Sequence, residues 1–85
     1  MSVTVEITPA ALTQVEALDE PIHSRVLAIA ERLHRWPNVS GAKPLRHHLA
    51  GHFRIRTGNY RVQFRVEGQR IIIEQVGHRD GFYGD

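Results

Sequence analysis

Arginine and histidine are the residues whose number and spacing could do chemistry in this chain. Lys43, Arg46, Arg54, Arg56, Arg61 and Arg65 fall between positions 43 and 65 with no Asp or Glu among them. His47, His48 and His52 lie in the same stretch, and His78, Arg79 and Tyr83 follow near the end. An imidazole can take or give a proton near neutrality, and a guanidinium grips phosphate oxygens through a planar fork. These groups suffice for metal-free RNA cleavage. That reaction needs a base for the ribose 2′-OH proton, cations for the charge that builds at phosphorus, and an acid for the departing 5′-oxygen. Arginine, with a pKa above ~12, is a poor base. His78 is therefore the leading proton-transfer candidate, Arg61 and Arg79 are charge stabilisers, and Tyr83 is an acid or a base-stacking group.

Other chemistries fit less well. The 85 residues include no Cys, which removes thiol nucleophiles, disulfides and thiolate metal sites and suits a reducing cytoplasm. His48 and His52 have helical ligand spacing, but they sit where turn and strand are expected, and no neighbouring carboxylate completes a metal site. Neither phosphate-cradling glycine pattern is present, so no cofactor is expected. The N-terminal stretch has no basic segment followed by an apolar run, and no apolar run approaches the ~18 residues of a membrane span. A single domain over residues 1–85, cytoplasmic and without a membrane partner, is the expectation.

Charge is divided along the chain. Residues 1–40 carry three basic and five acidic side chains, and residues 41–85 carry eight basic and four acidic. The net charge of +2 thus conceals a basic second half suited to a polyanion.

The elements that must position these groups can be read from periodicity. Residues 2–8 alternate, with Val3, Val5 and Ile7 on one face, as in a half-buried strand. Thr8-Pro9 reads as an N-cap and first helical residue, with Leu12, Val15 and Leu18 as the apolar stripe. Asp19-Glu20-Pro21 breaks that helix and caps a second one. Ile22, Val26, Ile29, Leu33 and Trp36 form the second stripe, which places Trp36 in the core. An extended piece and turn over 43–51 precede strands at about 52–57, 60–66 and 70–77. Gly58-Asn59 and Glu67-Gly68 are the hairpin turns. The result is an α+β fold of order β-αα-ββββ, a mainly antiparallel sheet with an α-hairpin on one face.

Strand parity then sorts the charges. A two-residue loop at Gly58-Asn59 pairs Phe53 with Phe64 and Ile55 with Val62 towards the core. On the other face it pairs His52 with Arg65, Arg54 with Gln63, and Arg56 with Arg61. Directly opposed cations cost up to roughly 1 kcal/mol relative to neutral pairs, so this face reads as built for phosphates. On the last strand Ile71 and Ile73 go to the core, while Ile72, Glu74 and Val76 share the basic face. Glu74 is expected to hold Arg61 across the ladder. His78 has basic-face parity, unless a bulge at Gly77 brings Arg79 there instead.

The run from Lys43-Pro44-Leu45-Arg46 through Leu49-Ala50-Gly51-His52-Phe53-Arg54-Ile55-Arg56-Thr57-Gly58-Asn59-Tyr60-Arg61 to Val66 resembles the central motif of RelE/ParE-superfamily toxins. Val76-Gly77-His78-Arg79-Asp80-Gly81-Phe82-Tyr83 resembles their closing strand and tail. The resemblance implies a type II toxin–antitoxin toxin that cuts mRNA on the ribosome without metal. It also implies a cognate antitoxin that wraps it into a hetero-oligomer. By motif position, Arg54 and Arg56 match the basic pair before the hairpin, Arg61 the arginine after the turn, His78-Arg79 the basic strand end, and Tyr83 the tail tyrosine. Lys43, Arg46, His52 and Arg65 join Arg54 and Arg56 as expected RNA-binding groups. Arginine stands where RelE itself has lysine, which shifts proton transfer towards His78. The alternatives are a ParE-like toxin that binds DNA gyrase without cutting RNA, and an inactive toxin-like module.

Overall fold

The computed structural model describes residues 3–81; Tyr83 and the rest of the tail lie outside the described residues. Strand β1 (Thr4–Ile7) leads into helices α1 (Pro9–Glu16) and α2 (Ile22–Arg32), the latter continued by one 3₁₀ turn at Leu33–Arg35. Then come β2 (Lys43–Pro44), a 3₁₀ turn at His47–Leu49, β3 (His52–Thr57), β4 (Tyr60–Glu67) and β5 (Arg70–His78), with a final 3₁₀ turn at Arg79–Gly81. The five strands lie in the order β1-β5-β4-β3-β2, antiparallel throughout except for β1, which pairs parallel to β5. This is the expected α+β arrangement. No helix of the described residues is long and apolar enough to cross a membrane.

Both helices cover the same face. α1 packs on β5 and α2 on β3 and β4. Thr8 Oγ1 accepts the Ala11 N–H at 3.1 Å and Pro9 opens α1, the expected cap. The second helix is capped differently: Pro21 supplies no side-chain bond, and the Glu20 carboxylate instead accepts the Ser24 N–H at 2.9 Å and the Ser24 hydroxyl at 2.8 Å. The apolar stripe of α2 is as expected, with Val26, Ile29 and Leu33 buried and Ile22 and Trp36 packed beside them. On α1 the buried residues are Ala11 and Val15, and Leu12 is 44% exposed. Ala11 thus takes the sheet-facing place that Leu12 was expected to hold. Ile7, expected in the core, is also exposed on the edge strand.

The β3–β4 hairpin has the expected register at all six pairs, from His52 opposite Arg65 to Thr57 opposite Tyr60. Gly58 takes φ +59°, the left-handed region that its missing side chain makes accessible. The next hairpin differs by one residue. Its loop is Gly68-Gln69, with Glu67 opposite Arg70, rather than Glu67-Gly68. Further along, Phe64 faces Ile73 while Gln63 faces Gln75, so Glu74 is the extra residue of a β-bulge.

That bulge resets the parity of β5. Ile71 and Ile73 lie in the core before it, and Ile72 is buried on the opposite side, as expected. Val76, expected on the basic face, is instead buried in the core opposite Val62. Its N–H is taken by Gln14 Oε1 of α1 at 2.7 Å, because β1 pairs with β5 only as far as Ile73. Trp36, Phe53 and Phe64 close the core, with ring centroids 4.8, 5.5 and 5.8 Å apart.

Candidate nucleic-acid interface

On the sheet face away from the helices, the register sets side chains in three rows. His52, Arg65 and Ile72 form the first. Lys43, Arg54 and Gln63 form the second, which meets β5 at the bulge. Arg56, Arg61 and Gly77 form the third. Successive rows are two residues apart along a strand, or roughly 7 Å. Five of the expected cations, Lys43, Arg54, Arg56, Arg61 and Arg65, therefore share one face with His52. Arg46 stands in the loop after β2, outside this array.

The first row is tied to acidic side chains. Glu74 Oε1 meets His52 Nδ1 and accepts from Gln63 Nε2 at 3.1 Å, and its Oε2 accepts from Arg65 Nη1 at 3.2 Å. Arg65 also donates through Nε to Glu67 at 2.8 Å. Arg65 is thus held between two carboxylates, Glu67 and Glu74. The expected Glu74–Arg61 contact is replaced by these, since Arg61 faces Gly77. Arg61 is 4% exposed, a buried guanidinium in the middle of the sheet.

Burial pushes the Glu74 carboxyl up. Hydrogen bonds from Gln63 and His52, the His52 charge and the Arg65 hydrogen bond outweigh it and hold the group below its ordinary value of 4.5. A carboxylate depressed in the folded state releases its proton more readily there than in the unfolded chain. Its stabilising contribution is complete above about pH 4.5 and is lost as pH falls through the lower folded value. In urea unfolding, Glu74→Gln should be less stable than wild type at about pH 7, and the gap should narrow by about pH 3.5.

The strand end also differs from expectation. His78 lies opposite Tyr60, with ring centroids 5.3 Å apart and edge to face, and shares the parity of Val62 and Val76 rather than that of Arg61. It is 44% exposed and its Nδ1 lies 3.4 Å from Asp80. The displaced bulge explains this. The extra residue lies at Glu74 rather than Gly77, so His78 turns away from the cation rows. Arg79 continues the ladder, donating its N–H to the Asn59 carbonyl at 2.8 Å. It begins the 3₁₀ turn at the end of the Arg56–Arg61 row. The proposed tail role of Tyr83 lies outside the described residues.

Periodicity alone missed the His52–Glu74 pair. The available signal was an acid alone in the apolar strand Arg70-Ile71-Ile72-Ile73-Glu74, on the face that holds the cations. The carboxylate missing from the neighbourhood of His52 in sequence comes from β5 in space. Among the described residues, no three His, Cys, Asp or Glu side chains converge as metal ligands would.

Comparison with known proteins agrees with this architecture. The family model for the ParE toxin of type II toxin–antitoxin systems matches residues 5–81. Toxin RelG of Mycobacterium tuberculosis is 36% identical over 98% of both chains. Among solved structures, the RelBE2 toxin–antitoxin complex of Mycobacterium tuberculosis contains a chain with 34% identity and a TM-score of 0.79, covering 93% of this chain and 100% of that one. The RelB–RelE antitoxin–toxin complex of Methanococcus jannaschii gives 25% identity and a TM-score of 0.79, covering 92% of this chain and 94% of that one. The chain belongs to the RelE/ParE superfamily of type II toxin–antitoxin toxins.

Proposed function

We propose that this toxin is a ribosome-dependent mRNA endonuclease that cleaves by metal-independent attack of the ribose 2′-oxygen. The observation that carries the reading is the gathering of Arg56 and Arg61, directly opposed, with Lys43 and Arg54 on the sheet face away from the helices. Cations gathered on one sheet face create a positive field suited to a polyanion. A phosphodiester fits, because each guanidinium can give two parallel hydrogen bonds to its oxygens. Lys43, Arg54 and Arg56 would bind the RNA backbone. Arg61, with Arg79 at the strand end, would stabilise the charge of the transition state. An antitoxin partner is part of the proposal, since the related chains were solved as toxin–antitoxin complexes.

Inducible expression with in-cell mapping of mRNA 5′ ends tests the reading. Codon-phased cuts that disappear in Arg61→Ala are the expected result. Growth arrest with intact mRNA and accumulated DNA damage would overturn it and favour a gyrase-directed toxin, a reading the match to the ParE family keeps in view.

A further inference from the structure

Resting on the nuclease reading, we infer that His52, oriented by Glu74, is the group that takes the 2′-OH proton. The cation rows require a base that arginine cannot supply. His52 is the one imidazole that strand register places on this face among the described residues of β3, β4 and β5, and it lies one step along β3 from Arg54. His78, the other imidazole on these strands, has the opposite parity.

The geometry around His52 is that of an oriented base. Its Nδ1 meets a carboxylate, which can only accept, so Nδ1 carries the proton and Nε2 keeps its lone pair. Nε2 has no protein partner among the described residues, and the side chain is 23% exposed, accessible but held. Glu74 is fixed in turn by Gln63 and Arg65, so side chains of β4 and β5 set the ring carried by β3. The charged groups around the imidazole are Arg54 on β3, Lys43 on β2, Arg65 on β4 and Glu74 on β5.

The bulge adds independent support. Bulges re-aim side chains beside functional sites. Here the extra residue delivers a carboxylate to the imidazole while Ile73 and Val76, on either side, both remain in the core.

In the step itself, the 2′-OH proton passes to Nε2 as the O2′–P bond forms. The P–O5′ bond breaks, and O5′ takes a proton from water to leave as a hydroxyl. The products are a 2′,3′-cyclic phosphate and a 5′-OH end, and the hydroxide left from that water takes the proton from the His52 imidazolium, which restores the base.

Single-turnover cleavage of mRNA on purified ribosomes, followed against pH, tests the assignment. The wild-type rate should rise with pH. His52→Ala should lose that rise and fall by about 10²–10⁴-fold, with ribosome binding within threefold of wild type, and added imidazole should restore part of the rate. Glu74→Gln should lower kcat while leaving KM within threefold, since it only positions the ring. Circular dichroism melting of both variants separates misfolding from lost chemistry, and imidazole rescue is the reading a misfolded protein cannot give. A His52→Ala enzyme with the wild-type rate and pH rise, or a rise lost only in His78→Ala, overturns the inference and leaves the nuclease reading intact. Wild-type toxin that binds ribosomes and leaves every mRNA intact overturns both.

Discussion

Replacing Arg61 with alanine is expected to slow cleavage of ribosome-bound mRNA by about 10²–10³-fold, the cost of removing one preorganised charge donor. Arg61 is almost fully buried near the start of β4, opposite Arg56, and shielding from water would strengthen its interaction with a developing phosphorane charge. The protein holds it in place before substrate arrives, so no reorganisation is needed at the moment of reaction. Arg61→Lys keeps the charge but loses the planar fork, and should recover only part of the rate. Purified ribosomes and defined mRNA in single-turnover cleavage give the measurement, with thermal melting alongside. Rates within threefold of wild type in Arg61→Ala would remove Arg61 from the chemistry.

Phe64→Ala should have the largest effect on stability, about 3–5 kcal/mol. Phe64 is fully buried, stacks on Phe53 across the hairpin at 5.8 Å and receives the edge of Trp36 at 5.5 Å. Alanine there would open a cavity where β3, β4 and the end of the second helix meet. Small domains have total stabilities of roughly 5–15 kcal/mol, so such a loss removes a large share. At about 4–8 °C per kcal/mol for a domain of this size, melting should fall by at least about 12 °C. Urea titration followed by Trp36 fluorescence reads the same change. A variant within 1 °C of wild type would show that the aromatic cluster is not where the core's stability is concentrated.

The hairpin carrying most of the candidate interface was legible because Gly58-Asn59 leaves one register for the two alternating strands. Every pair from His52–Arg65 to Thr57–Tyr60 followed from that turn. The next turn shows how sensitive such reading is. Placing the loop at Glu67-Gly68 instead of Gly68-Gln69 moves each partner on β5 by two residues, which put Glu74 opposite Arg61. The bulge was invisible for a different reason. A bulge of this kind needs no glycine, and Glu74-Gln75 has none of the turn chemistry that marks an irregular strand. Its effect reached Val76 and His78, the two residues whose facing had to be reversed. On α1 the buried stripe runs through Ala11, Val15 and Leu18, an i, i+4, i+7 spacing started from a small residue, while the larger Leu12 beside it is exposed.

The same irregularity bears on how this chain could tolerate change. Removing a residue from the middle of a paired strand ordinarily turns every later side chain to the wrong face. Position 74 is exempt. Without it, Ile73 would still face Phe64 and Gln75 would still face Gln63, so the ladder would close into a regular one with its core unaltered. The backbone has no need of residue 74. Among relatives of this toxin, the presence or absence of that single residue could vary without disturbing the scaffold, which makes it a place where one family member could acquire or lose a histidine's carboxylate in a single genetic step.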